Sequence, residues 1–139
     1  MRSLVSNQRG FTTMVIAIFM PVLLAFLALC ADGAVLIFYR ISLETAADAA
    51  SLAAIDSYDR DIWYSETRIV LREEIAEQLV LEILMENIPE ARLVKIEVPA
   101  LEQNTCIVEA EVDAPLHFLQ IFGIDAKTVT VTSLAHGYD

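Results

Sequence analysis

The sequence predicts an α+β protein. A long N-terminal transmembrane helix continues into a stem, and a second amphipathic helix packs on a small three-stranded antiparallel sheet. Three observations predict it. Residues 11–31 carry no charge. No Gly or Pro interrupts the chain between Ala34 and Ile88. Beyond Pro89 the apolar residues recur every second position, the period of a half-buried strand.

The uncharged run comes first. Its 21 residues span about 31 Å as a helix, close to the thickness of a bilayer's hydrocarbon core. The run exceeds the apolar length of a secretory signal, and Ala28-Leu29-Cys30-Ala31 is a poor cleavage site, so a retained anchor is expected over a removed signal. Arg2 and Arg9 are the only charges before Asp32. Basic residues ahead of a first helix favour a cytoplasmic N-terminus. Pro21 cannot donate to the carbonyl of Ala17, which predicts a kink.

Asp32 is the unusual residue here, because a carboxylate in hydrocarbon is costly. It is expected either in water at the outer interface or paired with a cation on another subunit. In the second case Asp32→Asn impairs complex recovery and leaves the domain folded. Arg40 is the next basic residue and shares this interfacial or intersubunit assignment. The apolar stem between Gly33 and Arg40 calls for a partner if it stands above the bilayer.

From Arg40 the sequence is rich in alanine, the best helix former, and the first helix is expected to reach about Asp56. Ala46, Ala47, Ala49, Ala50, Ala53 and Ala54 form a narrow surface suited to close packing, within the domain or between copies. The aspartates near residues 58–62 mark a turn. A second helix is expected over residues 62–87. Its apolar residues Leu71, Ile75, Leu79 and Ile83 recur every four positions, with Ala76, Val80, Leu84 and Ile88 beside them and glutamates opposite. Trp63 and Tyr64 precede this face and either cap the core or touch the membrane interface.

Three strands follow, with expected inward faces Val94/Ile96/Val98, Cys106/Val108/Ala110/Val112 and Val129/Val131. Between the last two strands, residues 115–122 predict a short helix closed by Gly123, with Leu116, Leu119 and Phe122 facing the core or a partner. The resulting division is a cytoplasmic basic tail (1–10), a transmembrane helix and juxtamembrane stem (11–39), an Ala-rich helix (40–57) and an extracytoplasmic domain (58–139).

The net charge is −11, concentrated beyond residue 33 as nineteen acidic against seven basic side chains. Such a domain repels nucleic acid and anionic lipid surfaces, and no basic stripe argues otherwise. Cys30 and Cys106 form no metal-binding spacing; a disulfide between them is open in an oxidising compartment, and two separate buried thiols are the expected reading. His117 and His136 lack convergent partners, and no nucleophile or phosphate-cradling motif occurs, so neither catalysis, a cofactor nor a metal is expected. Asp56, Asp59 and Asp61 share one turn but lack the glycine and distal glutamate of a calcium loop.

One resemblance adds to this reading. A basic tail ending in Arg9-Gly10 leads to an apolar helix with a central proline and the pair Asp32-Gly33. Arg40 and the run LETAADAASLAA (residues 43–54) follow. Over residues 9–54 this resembles the TadE/TadG-like proteins of Tad (Flp) pilus assembly. The resemblance implies a single-pass minor pilin-like or pseudopilin-like component of the bacterial inner membrane, with its small domain outside the cytoplasm. Its implied partners are the membrane and other pilus-assembly components. It also implies prepilin-type cleavage between Gly10 and Phe11, although Val15 stands where the wider superfamily has glutamate. That departure fits the anchored, TadG-like members better than filament-core subunits. The alternative is a bitopic scaffold or sensor whose acidic outer domain binds a partner unrelated to pili.

Overall fold

The computed structural model describes residues 8–138, and for residues 8 and 9 the backbone only. Arg2 and the tail through residue 7 lie outside the described residues, as does Asp139. The first helix, α1, runs unbroken over Gln8–Ala54 with Pro21 inside it. Its 47 residues extend about 70 Å. A short 3-10 turn, Ile55–Ser57, follows it. Residues 11–27 of α1 are exposed around the whole circumference. The remainder of the molecule gathers on the C-terminal half of the same helix.

The sheet is an antiparallel meander of β1 (Arg92–Glu97), β2 (Thr105–Pro115) and β3 (Ala126–His136) in the order β1-β2-β3. Strands β2 and β3 form a long hairpin, paired from Thr105↔His136 to Pro115↔Ala126. The alternation expected in β2 is present: Cys106, Val108, Ala110 and Val112 are buried. In β3, Val131, Ser133 and Ala135 are buried and Val129 packs on the core. Strand β1 departs from expectation. The register shifts between Leu93 and Lys95, and this bulge leaves Val94 exposed while Leu93 and Ile96 pack inward.

The expected second helix over residues 62–87 is two helices. Helix α2 (Arg60–Glu66) is capped by Asp59, whose Oδ1 accepts from the N–H groups of Asp61 (2.9 Å) and Ile62 (3.2 Å). It stops at Thr67, which adopts the left-handed conformation (φ 52°). Residues 68–72 are extended: Leu71 bridges Tyr58, and its N–H donates to the Gln103 carbonyl. Ile69 and Leu71 are buried at two-residue spacing, and this strand-like burial overrides the helical spacing of Leu71 with Ile75. Trp63 packs on the core edge to face with Tyr58, whereas Tyr64 is exposed.

Helix α3 (Glu73–Asn87) buries Ala76, Val80 and Leu84 and turns its glutamates to solvent. Contrary to the expectation that it covers the sheet, it lies mainly against α1 and meets the sheet chiefly at β1. The element that covers β2 and β3 is the stem of α1. Leu43, Ala46, Ala47, Ala50 and Ala54 are buried there and Ala53 is half-buried. The small-residue stripe therefore packs within the domain. Its methyl side chains let the helix approach the sheet closely, so Ala50→Leu should cost about 1–3 kcal/mol in an unfolding titration of the full chain.

The two cysteines are separate free thiols, but only Cys106 is buried; Cys30 is exposed on α1. Desolvation pushes the Cys106 thiol up to about 11. A thiol reagent at pH 8 should label Cys30 in the detergent-solubilised chain and reach Cys106 only after unfolding. Stability should also fall as pH rises from about 9 toward 11, because the folded state retains a proton that the unfolded thiol releases.

Candidate functional site

The site joins α1 to the tip of the β2–β3 hairpin. Residues 116–125 connect the two strands and fold back on themselves. The Leu116 N–H donates to the Asp125 carbonyl (2.8 Å), and the Ile124 N–H donates to the Leu119 carbonyl (3.2 Å). A 3-10 helix occupies Leu119–Phe122, shorter than the expected helix over residues 115–122, because Pro115 still belongs to β2. Gly123 closes it with φ 80°, a conformation costly for residues with a Cβ. Leu116 is buried and Leu119 half-buried, but Ile121 and Phe122 are about 80% exposed.

Asp32 is only 1% exposed. Its Oδ1 accepts from the N–H groups of His117 (3.0 Å) and Phe118 (3.2 Å). Its Oδ2 accepts from Phe118 (3.0 Å) and Leu119 (2.7 Å). These three successive N–H groups open the 3-10 helix, where backbone donors lack partners within the turn. The carboxylate supplies those partners, and hydrogen bonds to an ionised acceptor are among the stronger ones. Asp32 is therefore buried rather than wetted, and within this chain it binds its own domain.

Arg40 takes no part. It lies about 12 Å farther along α1 and is exposed beside Leu36, Ile37 and residues 127–130 of β3. Gly33 has open space where a Cβ would stand. Gly10 and Phe11 lie in the first turns of α1, and Phe11 is 71% exposed. Asp59 is used in capping α2. Among the described residues no group of three or more His, Cys, Asp or Glu is arranged to hold a metal ion.

A second polar contact fixes the other end of the stem. The Ser133 hydroxyl donates to Asp48 Oδ1 at 2.6 Å, and Ser51 Oγ lies 3.0 Å from Ser133 Oγ and 2.9 Å from the Asp48 carbonyl. The side chains of the run AADAASLAA thus seat the stem on β3. Sequence reasoning missed both contacts. The donors to Asp32 are backbone groups about 85 residues away, and nothing in the side chains of residues 117–119 signals them.

Comparisons with family models, curated proteins and solved structures gave no match to this chain.

Removing the carboxylate orphans three partly buried N–H groups. Asp32→Ala should destabilise the full chain in detergent by about 1–3 kcal/mol. Asp32→Asn should also loosen the tip, because its NH2 group faces donors. Amide exchange at residues 117–119 reads the effect directly, and unaltered protection in both variants would remove this contact from the account.

Proposed function

We propose that this chain is a membrane-anchored minor pilin-like or accessory component of a Tad-type pilus assembly machine. It acts through protein contacts, with the N-terminus cytoplasmic and the α+β domain on the far side of the inner membrane. The carrying observation is the division of α1. One helix is bare and apolar over its first half, long and apolar enough to cross a membrane, and carries the whole domain on its second half. A soluble core helix would be covered; this one is not.

Two further features support the reading. The helix is unbroken across Ala31 and Asp32, so removal of a signal there would cut regular helix beside the residue that holds the hairpin tip. Retention is the simpler course. The stem also leaves Ile37, Phe38 and Ile41 about 60% exposed. These residues continue the bare side of α1 past Asp32 and supply an apolar stripe for lateral packing against another pilus component. The Ala stripe is used within the domain, so it is not the contact surface.

Phe38→Lys should abolish co-purification with pilus-assembly components from detergent extracts while leaving the unfolding midpoint within about 0.5 kcal/mol, as for a surface change. A photo-cross-linking residue at Ile41 should give adducts with those components in cells. Adducts confined to proteins unrelated to pili would replace this reading with a bitopic scaffold or sensor. The mass of the mature N-terminus decides separately whether Gly10-Phe11 is cut.

A further inference from the structure

We infer that the β2–β3 hairpin tip is a second membrane contact, a loop seated in the outer leaflet beside α1. The inference rests on the reading of α1 as a membrane anchor. The side chains of Phe118, Leu119, Ile121 and Phe122 face Ala25, Ala28 and Leu29 of α1 across an apolar cleft of about 300 Å³. Residues 116–124 contain no Asp, Glu, Lys or Arg; Asp125 is the first charge after them.

Depth follows from the helix. The uncharged residues 11–31 span about the hydrocarbon thickness, so Ala25 to Leu29 occupy its outermost ~10 Å. Residues 11–27 of α1 are exposed on every side and Leu29 is exposed just beyond them, so whatever surrounds Ala25 and Leu29 also surrounds the tip beside them. On a bilayer-spanning helix that surrounding is lipid, which is why a lipid surface is favoured here over a second copy. An apolar loop reaching about 5–10 Å below the headgroups is the usual depth of an interfacial element.

The polar chemistry agrees. Irregular backbone is tolerated at such depth only where its N–H groups are satisfied. Three of the tip's N–H groups are taken by Asp32, and those of Ile121, Gly123 and Ile124 donate to carbonyls within the tip. In return the loop shields Asp32, the charge on α1 that closes this end of the span. The paired contacts, tip and helix, fix the angle at which the acidic domain stands on the membrane.

The test uses the full chain in phosphatidylcholine vesicles whose acyl chains are brominated near the glycerol end in one set and near the chain terminus in a second, which reports the middle of the bilayer. Trp63 is the only tryptophan and is first replaced by Phe. Single tryptophans are then introduced by Phe122→Trp at the tip, Leu23→Trp in the anchor and Leu101→Trp on a remote loop, where Leu101 is 99% exposed. The expected result is loss of emission for Phe122→Trp and Leu23→Trp and none for Leu101→Trp. Quenching of Leu23→Trp without quenching of Phe122→Trp overturns the inference and leaves the anchor standing. In that case, blue-shifted tip emission that depends on protein density assigns the tip to a second copy. Quenching of neither overturns both.

Discussion

The architecture depends on one carboxylate. Asp32 stands where an apolar helix meets a folded domain, and both of its oxygens are engaged by backbone N–H groups of the hairpin tip. A charge in this position is costly in isolation, and so are three unpaired N–H groups. Each cancels the penalty of the other. The match ties the far end of a long hairpin to a fixed level of α1. Through Ser133 and Asp48, the base of β3 is tied about 25 Å farther along the same helix. Between these two points lie the alanines, which let β2 and β3 close onto the stem.

This arrangement explains why the domain needs so little else. A three-stranded sheet is marginal unless one face is covered. Here the cover is the stem of α1 itself, with α3 packed mainly against the same helix. The outer face of the sheet stays polar: Arg92 bridges Glu111 and Asp113, and Thr128 donates to Asp113. Those exposed ion pairs add little to stability. The fold is held by apolar burial along the stem and by the two polar contacts at its ends.

Much of this was legible in the residues. The uncharged run, the alanine stripe and the two-residue alternation of β2 and β3 each repeat over many positions, and repetition makes a physical preference readable. Single-residue events were not. The break at Thr67 depends on Ile69 and Leu71 reaching the core, and Ile69 and Val70 carry no turn signal. The bulge at Val94 shifts the inward face of β1 by one residue and cannot be foreseen from an alternation that continues on either side. Asp32 stood out at once, but its partners are main-chain groups exposed by the geometry of a distant turn. Composition flags such a residue as needing compensation without showing where the compensation lies.

The distribution of charge bears on how such a molecule meets others. The domain beyond residue 33 carries nineteen acidic side chains against seven basic, so two copies approaching domain to domain repel one another. The stem between Gly33 and Arg40 is uncharged and lies next to the bare helix. On the proposed function, contacts through Ile37, Phe38 and Ile41 bury apolar surface without bringing the acidic faces together. A helix that uses its alanine side for its own sheet and leaves a separate aliphatic and aromatic side open can bind laterally without loosening its domain. On the proposed function, folding and lateral binding draw on different faces of one helix, so a surface change on the open face leaves the domain folded.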